Sequence, residues 1–260
     1  MLSVDEARAR ILASIQQLPP ERVRLEAALG RVLAEDVRST APLPGFDYSA
    51  MDGFALEAEA CSGDGPWELP VVGESRTGHA PPDWVKGTAC RIFTGAAIPR
   101  GATAVLLQEN VLDAGGQPVR SLRDLESIRF SHKPHVGEHM RLAGEDLPLG
   151  ALGMGKGSAV GALQLGLLAA LDRGSLIVTS RPRVLILNTG DELREPGSPA
   201  SGPTSIPESN SFVLAALARS VGADVAVAPL TRDDLQTTQR ALAAALSHAD
   251  LLVTVGGVSV

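Results

Sequence analysis

Apolar positions along this chain fall into three rhythms, and each change of rhythm marks a change of element. Near the start, Ile11, Leu12 and Ile15 follow Ser3 and Glu6, a capping-box pair, so the pattern predicts an amphipathic helix stopped at Pro19 and Pro20. Residues 23–37 read as a short helical stretch broken near Gly30, followed by a strand-like Val32-Leu33. Short β-like runs at Val71-Val72, Arg91-Ile92-Phe93 and 104–107, set apart by Gly and Pro, then predict a compact β domain. Helical spacing returns over residues 158–171, with Leu163, Leu167, Leu168 and Leu171 on one side and Gly174 as the stop.

The last third has a different rhythm. Residues 184–193 read VLILNTGDEL, an unbroken apolar run ending in polar residues, as expected of a parallel strand covered on both faces. A helix with Val213, Leu214, Leu217 and Val221 on one face follows, with Ser209 or Asn210 as N-cap and Gly222 as stop. A second strand, 225–230, ends in Thr231, Arg232, Asp233 and Asp234, and Leu235, Leu242, Ala245 and Leu246 mark the next helix. A third strand, 251–255, runs into Gly256, Gly257, Val258 and Ser259. Right-handed crossovers bring all three strand ends to one edge of a sheet, where ligands of such sheets bind.

These elements give an α/β multidomain chain. A discontinuous N-terminal domain, 1–43 plus 141–180, holds an inserted β-rich domain, 44–140, and an α/β domain covers 181–260. The 27 glycines and 18 prolines agree with many short strands and tight turns. A net charge of −7 argues against a nucleic-acid partner. Cys61 and Cys90 have no paired-thiol spacing and no apolar run is long enough to span a membrane, so the expectation is a cytoplasmic protein without a disulfide.

The candidate chemistry sits on the strand ends: Thr189, Gly190, Asp191 and Glu192 on the first, Asp233 on the second, and Gly256, Gly257 and Ser259 on the third. Glycine amides favour phosphate and carboxylates repel it, a conflict that a divalent cation such as Mg²⁺, held by one or two of these carboxylates, would resolve. Each carboxylate also has a plain reading; Asp233 stands where an N-cap would. In the β domain, Asp52-Gly53 and Thr94-Gly95 carry the same ambiguity, as a hairpin turn and an ordinary turn after a strand. Residues 150–157 imitate a phosphate loop, but Gly157 stands where a metal-holding hydroxyl belongs. His132, His135 and His139 imitate a metal site, but Pro134 and Gly137 forbid the helix that would align them.

The motifs FDYSAMDGFA, RIFTGA, AGED, NTGDEL, ESN, RDD and GGVSV, in this order, resemble the molybdopterin molybdenumtransferases of the MoeA family along essentially the whole chain. Residues from Arg183 onward also resemble the molybdopterin-binding domain of MogA-type adenylyltransferases. The resemblance implies insertion of molybdate into adenylylated molybdopterin, with Mg²⁺-dependent release of AMP. It places active-site positions on Asp52, Thr94, Asp146, Glu192 and Asp233, with Glu192 and Asp233 beside the pterin phosphate and the Mg²⁺, and implies a homodimer whose cleft joins the α/β domain of one subunit to the β domain of the other. A MogA-type adenylyltransferase is an implied partner, and a non-catalytic molybdopterin-binding or dimerising scaffold is the alternative. Tyr48, Phe54 and the Pro207-Glu208 pair depart from the family's usual Asn, Tyr and Tyr-Asp. Family members continue past GGVSV with lysines, a GLPGNP loop and a small β domain, so the α/β domain is expected to be partial, with residues 251–255 at an uncovered edge.

Overall fold

The computed structural model describes residues 2–119, 121, 122 and 125–256. The chain divides into two compact units, Met1–Val37 with Met154–Val260, and Arg38–Gly153.

In the first unit the N-terminal helix spans Val4–Ser14, and its capping box is formed: Ser3 Oγ accepts from Glu6 N at 3.2 Å, and Ser3 N donates to Glu6 Oε2 at 2.8 Å. The helix ends at Ser14, ahead of the prolines. Where local pattern suggested helix from Val23, the strand Pro20–Arg24 pairs antiparallel with Ser175–Thr179, and only Leu25–Ala27 forms a 3₁₀ turn. A ready-made partner strand outweighs the weak local preference of five residues. The helix predicted over 158–171 spans Ala162–Ala170; Leu168 and Leu171 are buried, but Leu163 is 87% exposed, so the leucines do not form one inward stripe.

The α/β part has the order Asp224–Val227, Arg183–Asn188, Leu251–Val255, all parallel, with the first strand in the chain at the centre. The first crossover runs from the centre to the edge strand Asp224–Val227 and the second runs back across the centre to Leu251–Val255, so right-handedness puts helices Asn210–Ser220 and Leu235–Leu246 on opposite faces. The helix Asn210–Ser220 meets Val184 and Ile186 through its small residues: Ser211 and Ala215 are buried, and Leu214 and Ala218 partly so. Val213, Leu217 and Val221 point to solvent instead, contrary to the helical-face reading, because the small residues allow the closer approach to the sheet. The outer strand begins at Leu251, which is half exposed.

At this same end of the sheet, where the parallel strands begin, Arg183 clamps Asp250 with two guanidinium bonds, 3.1 and 2.9 Å, and its backbone N–H adds a third at 2.8 Å. These bonds hold the Asp250 carboxyl down at about 2. A carboxyl lowered on folding stabilises fully above its unfolded value of ~4 and loses that contribution as pH falls through about 2. Asp250→Asn is therefore expected to lower the melting temperature at pH 7 and much less at pH 2, so the two melting curves converge on acidification.

The second unit is built on a five-stranded sheet in the order Ala104–Leu107, Gly53–Leu56, Ala89–Ile92, Trp67–Ser75, Ser127–Phe130. Only Trp67–Ser75 with Ala89–Ile92 is parallel. Phe54, Leu56, Leu106, Ile128 and Phe130 pack on one face and Ala55, Ile92 and Val105 on the other, so the central strands are apolar throughout. Both cysteines are buried and free. Cys90 sits in this core, and burial pushes its thiol up to about 11.

Candidate functional site

The second unit gathers three sequence motifs into one cluster of loops. Tyr48-Ser49 pairs antiparallel with Met140-Arg141, while Ser49 N donates to Ala96 O at 3.0 Å and Gly95 N to Ser49 O at 2.8 Å. Ala50 N donates to His139 O at 2.9 Å, and Ala143 N donates to Asp47 Oδ1 at 2.8 Å. From this frame Asp52 reaches Thr94: its Oδ1 accepts from Thr94 N and from Thr94 Oγ1, both at 2.8 Å. Those two bonds hold the Asp52 carboxyl below its ordinary range, the backbone donor first, with the charge of Arg91 adding to them. Arg91 lies between the rings of Phe54 and Phe93, 5.0 and 5.1 Å from their centroids, and donates to Gln108 Oε1 at 2.9 Å. Asp146 pairs with Arg141 in the same unit, its N–H donating to Leu43 O at 3.0 Å.

The hairpin reading of Asp52-Gly53 does not hold. Gly53 opens a strand flanked on both sides, opposite Ile92 and Leu107, and a Cβ there would lie 2.0 Å from the Leu106 carbonyl oxygen. The glycine is there for close packing of strands, and Asp52 is the residue placed just outside the sheet. The three histidines converge on one partly buried carboxylate, Glu138: His132 Nε2 lies 2.7 Å and His135 Nδ1 2.8 Å from it. Among the described residues no group of three such side chains is arranged to hold a metal.

In the first unit the strand ends converge as expected. Thr189 N donates to Val255 O at 3.0 Å, and Gly190 N to Thr231 O at 3.1 Å. Gly256, at φ +97°, brings its backbone so close that a Cβ would meet Thr189 O at 2.4 Å. Beyond these ends lies a cavity of about 730 Å³ lined by Gly190, Asp191, Thr231, Arg232, Asp233 and Ser201, among others. Asp191 Oδ1 accepts from Asp233 N at 3.4 Å, tying the first loop to the second. Glu192 is exposed and is not in this lining; its carboxylate lies against Gly190, where a Cβ would meet it at 2.8 Å. The N-cap of helix Leu235–Leu246 is Asp234, whose carboxylate accepts from Thr237 N at 2.9 Å, so Asp233 is left without the capping role its position suggested. Gly257 and Ser259 lie outside the described residues.

The five catalytic candidates therefore fall into two groups: Asp52, Thr94 and Asp146 in one unit, Glu192 and Asp233 in the other. Ser201 was not foreseen as part of a site. The Gly/Pro/Ser-rich stretch 196–205 announces a loop, but nothing local tells that it folds back over the strand ends. Asp191 and Asp233 supply carboxylate oxygens to this cavity, donors that could hold a hard divalent cation only with further ligands from outside their own side chains.

Residues 2–171 match the MoeA N-terminal region (domain I and II). The chain belongs to the MoeA family. Residues 185–260 match a probable molybdopterin binding domain, the part that carries the strand-end cavity. The molybdopterin molybdenumtransferase 2 of Mycobacterium tuberculosis is 38% identical over the whole of this MoeA-family chain, and the enzyme of Haemophilus influenzae 35%. The chain spans 62% of the length of each. The crystal structure of the molybdopterin biosynthesis moeA protein from Pyrococcus horikoshii OT3 aligns over all of it with a TM-score of 0.86 at 30% identity, covering 67% of that chain. The α/β multidomain fold and the MogA-like character of its last third accord with these matches.

Proposed function

We propose that this chain works in molybdenum cofactor biosynthesis, inserting molybdate into adenylylated molybdopterin with release of AMP. The observation that carries the reading is the cavity at three parallel strand ends, where Asp191 and Asp233 face each other across loops tied by hydrogen bonds. Such an edge is the usual ligand position of a doubly wound sheet. Mg²⁺ held by Asp233 with Asp191 or Glu192 would offset the charge of phosphate oxygens, which the carboxylates alone repel. Thr189, Gly190 and Gly256 set the spacing of the loops that would take the phosphate, and Arg232 adds a cation at the cavity wall. Asp52, fixed as an ionised group by Thr94, is the second proposed reactive carboxylate; Asp146 keeps Arg141 in place beside Tyr48.

The protein acts as a homodimer in the cytoplasm, receiving adenylylated pterin from a MogA-type adenylyltransferase. No helix among the described residues is long and apolar enough to cross a membrane. The test is to incubate the chain with adenylylated molybdopterin and molybdate, with and without Mg²⁺, and measure AMP by chromatography. Mg²⁺-dependent release is expected. Binding of the adenylylated pterin without any release would move the assignment to a non-catalytic molybdopterin-binding scaffold.

A further inference from the structure

Asn188 ends the central strand, on the same sheet face as Val184 and Ile186 and toward the start of helix Asn210–Ser220. It is 1% exposed, and both its Oδ1 and Nδ2 are buried without a hydrogen-bond partner. An orphaned amide of this kind costs stability, and a fold that keeps one calls for an explanation. The residue lines a second cavity, about 430 Å³, outside the one formed by Asp191 and Asp233.

The rest of that cavity says what could complete the amide. Its helix N-terminus already has an anion: Glu208, 5% exposed, accepts from Ser211 N at 2.7 Å and from Ser211 Oγ at 2.5 Å. Glu195 also lines the cavity, so a phosphate entering here would face two carboxylates. The walls are otherwise apolar, with Val227 and Leu230, and the ring of Phe212 stands at the mouth, 62% exposed. An amide offering one donor and one acceptor pairs with a ring edge on which an amino group sits beside a ring nitrogen. Carboxylate oxygens accept further N–H groups of such a ring, and an exposed phenyl face stacks on it.

We propose that this cavity is a subsite for a planar nitrogen heterocycle, with Asn188 reading its aminopyrimidine edge and Phe212 stacking on its face. Adenine and a pterin both carry that edge, and naming an adenylylated pterin as its natural source rests on the function proposed above.

The test uses the full 260-residue chain without Mg²⁺, titrated calorimetrically with pterin, with AMP, with uridine monophosphate and with inorganic phosphate. Pterin or AMP is expected to bind and phosphate is not; uridine monophosphate, whose N3–H edge the Asn188 amide could also pair with, is excluded because its ring carbonyl oxygens would face Glu195 and Glu208, and which of pterin and AMP binds assigns the ring. Asn188→Leu should weaken that binding about tenfold or more and at the same time raise the melting temperature, because it removes two orphaned polar atoms from the interior. A residue with a purely structural role would move both readings downward. Phe212→Ala, at an exposed position, should weaken binding with the melting temperature unchanged, and it decides the matter if the Asn188 variant does not fold. No binding of either ring, a lower melting temperature for Asn188→Leu, or unchanged binding in a folded variant overturns the subsite. AMP release without ring binding would sink the subsite alone; ring binding without AMP release would leave the subsite standing and sink the transferase reading.

Discussion

Asp233→Asn is expected to cut the proposed Mg²⁺-dependent AMP release by about a hundredfold or more while leaving the melting temperature within about 1 °C of wild type. Three features separate this residue from a structural aspartate. Asp233 is exposed and lines the strand-end cavity; its backbone N–H, which reaches Asp191 Oδ1 at 3.4 Å, survives the substitution; and the helix behind it is capped by its neighbour. The change removes one formal negative charge and one metal-type oxygen while the amide keeps nearly the same volume. Asp234→Ala is the matched control. Asp234 accepts from Thr237 N at 2.9 Å, and loss of a cap of this kind should lower the melting temperature by about 2–4 °C with AMP release retained. Activity assays and thermal melts on the two variants form a cross. If Asp233→Asn melts far lower and Asp234→Ala loses activity, the roles assigned to the two residues are reversed.

Gly53→Ala is the most destabilising single methyl addition expected in Arg38–Gly153. Gly53 opens the strand that lies between Ala104–Leu107 and Ala89–Ile92, and an added Cβ would sit 2.0 Å from the Leu106 carbonyl oxygen and 3.2 Å from Val105 Cγ1. The obstacle is backbone in a paired strand, which cannot rotate aside as a side chain can. Overpacking of this severity should cost about 3 kcal/mol or more and displace the neighbouring Asp52 loop. The comparison is Gly166→Ala: that glycine lies inside helix Ala162–Ala170 with nothing within 4 Å of the new methyl, so the substitution should stabilise by about 1 kcal/mol. Chemical denaturation of both variants measures the contrast. A Gly53→Ala protein as stable as wild type would mean that the two strands separate there at little cost.

The periodic signals were legible where local interactions and burial agree. The capping box of Ser3 and Glu6, the helix near 210–220, the parallel strand at 183–188 and the apolar character of 104–107 all appear as the residue pattern implies. Neighbouring residues in the chain carry these signals, so no distant partner is needed to read them. The pattern was less informative about which face of a helix turns inward. Residues Val213, Leu217 and Val221 have the hydrophobicity of a core, yet Ser211 and Ala215 are the buried ones, because closeness to Ile186 is set by side-chain size.

By itself the sequence determined the polar residues that end the three parallel strands, and hence the edge of the sheet at which Asp191 and Asp233 stand. Tertiary structure decided what each of them is available to do. Asp233 and Asp234 are adjacent carboxylates with near-identical local context, and only the helix geometry selects Asp234 as the cap. Likewise Asp52 and Thr94 are separated by more than forty residues, and it takes two strands of one sheet to bring carboxylate and hydroxyl to 2.8 Å. Asn188 is the clearest case: its place at a strand end is written in the chain, but its orphaned amide exists only because helix Asn210–Ser220 folds over it with Glu208 already spent on Ser211. Spacing along a chain fixes which groups share an element; which groups are left unsatisfied depends on everything packed around them.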